Sequence, residues 1–293
     1  MKIFVLPVHS EAKPPSQGFK YPHHNEDYGV EQDFLKFLNE HRELTAPSSQ
    51  QADWHYLPVF WTRWHLNHDY GTRGIEELRR YVDDAILDDS RTFTVCQYDD
   101  GPLVPIGRTL QFLAARRTEV GIDIPVLCSP HRRPFFMPKK RYQASFVGRL
   151  TNHPLRGQMA EILKDRPDVV IRDEDIGTKE FVKMMLQSYL ALSPRGYGGT
   201  SFRLFEAMQL GIAPVFISDK DSRPFGRYLP WDEASIYVKD PEHLNAVLDG
   251  RSEKELLQMG VRAAELYKHH LAYQKWCPYV LKILSSSHPS QSM

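Results

Sequence analysis

The sequence predicts an α/β protein built as two doubly wound halves. Short apolar runs rich in β-branched and aromatic residues alternate with amphipathic stretches along most of the chain, the pattern of parallel sheets joined by helices. The alternation is broken once, at the basic, proline-rich segment His131–Arg141. With 293 residues, 41% hydrophobic and 12% aromatic, the chain has material for one large or two modest cores. The expected division is an N-terminal domain over 1–137, a C-terminal domain over 138–270, and a helix over 271–293 that crosses back and ends in a disordered tail.

Lys2–Val8 reads as the first strand, and Ser10–Tyr28, rich in Pro, Gly and His, as a long loop of the kind that carries function. Val30–Glu40 has the helical spacing Phe34, Leu35, Phe37, Leu38. Trp54–Trp61 reads as a strand, Gly74–Leu87 as a helix, Thr92–Gln97 as a strand ending in the acidic turn Tyr98-Asp99-Asp100-Gly101, and Pro125–Ser129 as a strand. The second half repeats the scheme: strand Ala144–Val147 before Gly148-Arg149, helix Arg156–Lys164, strand Val169–Arg172, helix Lys179–Leu190, then a late strand Ile236–Val238 and helices over Pro241–Leu248, Glu253–Leu266 and Leu271–Leu284.

The 37 basic and 37 acidic residues cancel, which speaks against a nucleic-acid partner but not against a local basic cleft. Cys96, Cys128 and Cys277 are far apart and odd in number, so neither a disulfide framework nor a zinc site is expected, and the thiols are read as reduced and buried. The apolar run at the N-terminus stops at Pro7. It is too short for a signal peptide or a membrane span, and the expectation is a cytoplasmic protein with at most peripheral membrane association.

The densest stretch is Ser193–Ser218, SPRGYGGTSFRLFEAMQLGIAPVFIS. Gly196, Gly198 and Gly199 can take positive φ and admit a ligand close to the backbone. Thr200 or Ser201 is a good N-cap, so the free N–H groups and dipole of the following helix face the glycine loop, an arrangement that binds phosphate. Arg195 and Arg203 add forked cations, and Glu206, three residues after Arg203, shares its helix face and suits a ribose diol. Cations for a diphosphate beside an acid for a sugar are the chemistry of a nucleotide-sugar site.

That stretch resembles the core signature of exostosin-like glycosyltransferases: an Arg-Gly turn, Ser-Phe-Arg, an acid in the next helical turn, and a Pro-Val strand. The segments Gln51–Phe60, Ser145–Arg149 with Arg156 downstream, Phe181–Leu192, and Ser222–Phe225 with Trp231 resemble further parts of the family pattern in the same order. The resemblance implies a GT-B-like fold with its active site in the cleft between the halves, and an inverting, metal-independent transfer. The donor it implies is a nucleotide-sugar, a UDP-sugar, and the acceptor a glycan or lipid-linked glycan in polysaccharide synthesis. Asp219-Lys220-Asp221 has the spacing of a metal-binding pair but sits in the loop after the Pro-Val strand.

On this reading Arg149, Arg195 and Arg203 hold the diphosphate. Gly199, Thr200 and Ser201 add backbone and hydroxyl contacts, and Glu206 takes the ribose. The general base of an inverting transfer is a carboxylate or histidine, expected in the N-terminal half, and His24, Glu26 and Asp100 are the open alternatives. His131 with Arg132-Arg133 is read as linker rather than acceptor site. Arg203→Ala and Glu206→Ala are expected to weaken nucleotide binding at near-unchanged stability. The competing readings are a catalytically silent nucleotide-binding partner and a nucleotide-sugar epimerase.

Overall fold

The computed structural model describes residues 1–15 and 29–287. The chain forms two compact units, Met1–Leu127 with Tyr273–Met293, and Cys128–Ala272. The basic, proline-rich segment is therefore the start of the second unit, and the C-terminal helix belongs to the first.

In the first unit the order is β1 (Ile3–Val5), α1 (Gly29–Glu40), β2 (Trp54–Tyr56), α2 (Trp61–Asn67), α3 (Ile75–Ala85), β3 (Thr92–Cys96), β4 (Leu110–Leu113) and β5 (Ile122–Asp123). The five strands pair in parallel in the order β1-β2-β3-β4-β5. Helices cover both faces of this sheet. Phe34 of α1 packs against Tyr56 and Phe93 at 5.0 and 5.7 Å between ring centroids, while Trp64, Leu78 and Val82 of α2 and α3 cluster with Leu57 and Cys96, which face the other way.

Two expected strands are corrected here. Trp54–Trp61 is a strand only to Tyr56, because Pro58 has no N–H to continue the ladder and a helix starts at Trp61. Pro125–Ser129 is not a strand: Leu127 exchanges its N–H and C=O with the side-chain amide of Gln97 (3.2 and 3.4 Å), which stands where a neighbouring strand would.

The second unit follows as β6 (Tyr142–Val147), α4 (Pro154–Leu163), β7 (Val169–Arg172), α5 (Gly177–Leu186), β8 (Ser188–Pro194), α6 (Phe202–Leu210), β9 (Ala213–Ile217), α7 (Trp231–Ala234), β10 (Ile236–Val238), α8 (Leu244–Asp249) and α9 (Glu253–Leu266). A π-helical turn, Tyr267–Leu271, closes the unit, and α10 (Cys277–Ser286) then joins the first. The helix expected over Lys179–Leu190 ends at Leu186, and Leu190 lies in β8.

All strands of the second sheet are parallel, in the order β10-β9-β8-β6-β7. The chain steps from β6 outward to β7, then returns past β6 to β8. In doubly wound sheets ligands bind beyond the carboxyl ends of the strands at this reversal, here where Gly148 follows β6 and Arg195 follows β8.

All three cysteines are thiols rather than disulfides, and all three are buried. Burial pushes each thiol well above its ordinary range. Among the described residues no helix is long and apolar enough to cross a membrane.

Glu31 is fully buried in the first unit. Its Oε1 accepts from the N–H and hydroxyl of Thr62 (3.0 and 2.7 Å) and the N–H of Gln97 (3.3 Å), tying α1 and α2 to the end of β3, while Oε2 has no partner. Burial raises this carboxyl above its ordinary 4.5, against the pull of the Thr62 bonds. A raised acid holds its proton in the folded chain and releases it in the unfolded one. Its contribution to stability is therefore complete below 4.5 and is lost as pH rises through the folded value. Glu31→Gln should accordingly gain on the parent as pH rises above 4.5, by roughly 1.4 kcal/mol per pH unit within that window. Urea unfolding of both proteins across a pH series measures the difference, and parallel curves would contradict it.

Candidate functional site

The reversal in the second sheet brings together the loop after β6 and the loop after β8. Arg156, the buried third residue of α4, joins them: its Nε donates to the carbonyl of Arg195 (2.9 Å) and its Nη1 to the carbonyl of Arg149 (2.9 Å). Its guanidinium also lies over the Phe146 ring at 5.6 Å. The sequence placed Arg156 in the family pattern but gave it no role. Its two carbonyl partners sit in separate loops, 7 and 39 residues away in the chain, and only its place on the inward face of a helix points to it.

Arg203, in the first turn of α6, stacks on the same Phe146 ring at 4.6 Å and on Phe181 at 5.6 Å, and donates to the carbonyl of Val147. Burial pushes it down to about 10, with Glu206 acting to raise it and Arg156 to lower it, so it remains a cation at neutral pH. Gly148 makes this approach possible. It sits at φ 144, and a Cβ there would lie 2.9 Å from Nη2 of Arg203. Gly196, expected to supply a positive φ, has none; a Cβ on it would meet Arg156 Nη2 at 3.3 Å, so its role is close packing.

Arg195 holds the glycine loop in shape. Its Nε donates to Gly198 O (3.1 Å), its Nη2 to Tyr197 O (3.4 Å), and Nη1 pairs with Asp219. The carbonyl of Gly199 accepts from Ser222 Oγ (2.8 Å) and Ser218 Oγ (3.3 Å). In a trans peptide that turns the N–H of Thr200 the opposite way. Arg149 is exposed and its backbone carbonyl carries the bond to Arg156. Asp219 and Asp221 are each ion-paired, with Arg195 and Arg223, and among the described residues no cluster of three or more His, Cys, Asp or Glu is arranged to hold a metal.

Ser201 is the N-cap of α6 by backbone conformation (φ −143, ψ 152), yet its hydroxyl makes no capping bond. Three buried polar atoms in this one turn have no partner: Thr200 Oγ1, Ser201 Oγ and Arg203 Nε. Leaving a buried donor unpaired costs about 1–3 kcal/mol. Three of them at a helix N-terminus, beside Arg203 and Arg156, form a site shaped for an anion with several acceptor oxygens.

Glu206, one turn along α6, is buried, and its Oε1 lies 3.3 Å from Nε2 of His131. Gln209, a turn further, accepts from the His131 N–H (2.7 Å) and donates to Ser129 O (2.9 Å). The expectation that His131 is a solvated linker residue is therefore corrected: its side chain is 6% exposed and packed against α6.

In the first unit Asp100 accepts from the Tyr98 hydroxyl at 3.1 Å and pairs with Arg117. Near it lies His65, unremarked in the sequence. Both its ring nitrogens are buried without partners, and its ring is 3.8 Å from that of Tyr98. Burial pushes its pKa down, against the opposing pull of Asp100. His24 and Glu26 lie outside the described residues.

The sheet reverses its strand order beside the N-terminus of α6, and two parallel-sheet α/β units in one chain are the GT-B-like architecture expected from the sequence. Residues 117–248 match the Exostosin GT47 domain, so this stretch of the chain is similar to the exostosin-like glycosyltransferases. An Exostosin-1 homolog of Caenorhabditis elegans is 30% identical over 108 residues, 36% of this chain and 28% of that protein. A probable glucuronosyltransferase of Oryza sativa subsp. japonica is 34% identical over 95 residues, 32% of this chain and 21% of that protein. The matched stretch thus spans less than a third of either relative. Among solved structures, AviGT4, a glycosyltransferase involved in avilamycin A biosynthesis, is 13% identical at a TM-score of 0.41, covering 99% of this chain and 98% of that one.

Proposed function

We propose that the chain is an inverting glycosyltransferase that moves a sugar from a nucleoside diphosphate sugar, a UDP-sugar, to a glycan or lipid-linked glycan acceptor in the cytoplasm. The observation that carries this reading is the trio of unpartnered buried groups, Thr200 Oγ1, Ser201 Oγ and Arg203 Nε, at the N-terminus of α6. Phosphate oxygens would satisfy all three.

In the proposed reaction the acceptor hydroxyl attacks the anomeric carbon, its proton passes to a base, and the bond to the nucleoside diphosphate breaks. Arg203, Arg156 and the helix terminus stabilise the charge that develops on the leaving diphosphate, without a metal. Glu206 takes the ribose hydroxyls, its position fixed by His131. Asp100, His24 and Glu26 are the proposed alternatives for the base.

Thermal unfolding with UDP, GDP, CMP, TDP and ADP tests the donor site. UDP at 100 times its dissociation constant should add about 2.7 kcal/mol of stability. Glu206→Ala should weaken UDP by about 1.5–3 kcal/mol, roughly ten- to a hundred-fold, and leave inorganic pyrophosphate binding unchanged. Equal loss of both ligands would remove the ribose role. Stabilisation by none of the nucleotides would count against the donor site itself.

A further inference from the structure

The second unit opens with a built display of two aromatic rings. Phe135 and Phe136 are 93% and 82% exposed, set edge to face with centroids 4.8 Å apart. An exposed phenylalanine pair inside a folded unit needs an explanation that single surface hydrophobes do not. The residues around the pair are fixed. Before it, the His131 N–H bonds Gln209, and the Arg133 guanidinium lies against Gly211, where a Cβ would sit 3.1 Å from Cζ. After it, Met137 packs inward on the cluster of Met185, Leu186 and Leu210. The Lys140 ammonium bridges the carbonyls of Leu186 and Ser188 at 3.0 and 2.6 Å. The tip thus projects because its two flanks are held.

Charge identifies the occupant. Arg132, Arg133, Lys139 and Arg141 are exposed on either side of the rings. No Asp or Glu occurs from residue 124 to residue 160, in a chain whose formal net charge is zero. Pro134 and Pro138 bracket the pair, and proline brings no N–H that an apolar medium would leave unpaired. Aromatic side chains at a tip, cations beside them and few backbone donors are the requirements for insertion into the interface of a bilayer with anionic headgroups. The perpendicular rings offer no parallel stacking platform of the kind that nucleic-acid bases use. We propose that the Arg132–Arg141 loop is a membrane-docking element: Phe135 and Phe136 enter the headgroup–acyl boundary, and Arg132, Arg133, Lys139 and Arg141 engage anionic lipid. This inference is independent of the transfer reaction.

Flotation of the full chain with phosphatidylcholine vesicles, with and without phosphatidylglycerol, tests it. Binding is expected only to the anionic vesicles and should weaken with added salt. Phe135→Ser/Phe136→Ser should lower it by about tenfold or more, and Arg132→Gln/Lys139→Gln should lower it and flatten its salt dependence. All these side chains are exposed, so both variants should melt as the parent does. The proposal is overturned if the parent ignores anionic vesicles or if the serine variant floats equally well. It is likewise overturned if the same substitutions abolish single-stranded oligonucleotide binding, or convert a dimer to a monomer, while vesicle binding is absent.

Discussion

Arg203→Met is expected to remove UDP binding while leaving the melting temperature equal to or above that of the parent. The guanidinium of Arg203 lies against the rings of Phe146 and Phe181, and burial pushes its pKa down to about 10. Its Nε has no partner. A buried charge so placed is a cost to the fold, and an apolar side chain of similar volume in such a position is often neutral or stabilising by about 1–4 kcal/mol. Methionine is long, unbranched and well suited to aromatic neighbours. Binding should fall by about 2–4 kcal/mol, roughly thirty- to a thousand-fold, since the partner of the ligand's charge is gone. Pyrophosphate should be lost along with UDP, unlike in Glu206→Ala. Titration calorimetry and a melting curve read the two effects separately. Unchanged binding would place the diphosphate elsewhere, and a drop of several degrees would make Arg203 a structural residue. Alanine is the less informative substitution. It leaves a gap beside two rings, so packing predicts a loss of stability for Arg203→Ala.

The second large effect is on the fold. Gly260, in the middle of α9, is buried where that helix crosses the corner between α6 and β9. A Cβ there would collide with the carbonyl oxygen of Gly211 and lie 3.4 Å from the N–H nitrogen of Ala213. Both are backbone atoms. Gly211 is itself held at φ 71 as the cap of α6, so neither side can yield. Helix propensity alone predicts that Gly260→Ala stabilises by about 1 kcal/mol; packing predicts a loss of about 3 kcal/mol or more. In a unit of this size that is a fall in melting temperature of roughly 6–12 °C. Scanning calorimetry decides between the two, since they differ in sign.

Much of the candidate site was legible because its parts are contiguous. The loop from Arg195 to Glu206 carries its glycines, cap and cations within a dozen residues, and local rules about helix starts apply to it directly. Three features escaped because they are made through space. Arg156 meets the carbonyls of Arg149 and Arg195 from a separate helix. Phe146 and Phe181 meet Arg203 from a strand and a helix that carry no role in the sequence reading. The positive φ falls on Gly148, outside the glycine-rich stretch. In the fold, alternation of pattern revealed the parallel architecture, but not strands as short as Leu110–Leu113 and Ile122–Asp123. Nor did it reveal that a glutamine side chain replaces a strand beside Leu127. The order of strands, which creates the β6–β8 reversal beside the candidate site, is set by long-range pairing that no local pattern encodes.

The three thiols give the molecule a native reporter of its own opening. Cys128 lies in the second unit, and Cys96 and Cys277 in the first, each shielded from solvent and held in the unreactive protonated form. A thiol reagent therefore modifies each position at the rate at which the surrounding structure opens. Mass mapping of the modified cysteines dates the unfolding of the two units separately, without any probe being introduced, and turns the halves of one chain into two independent clocks.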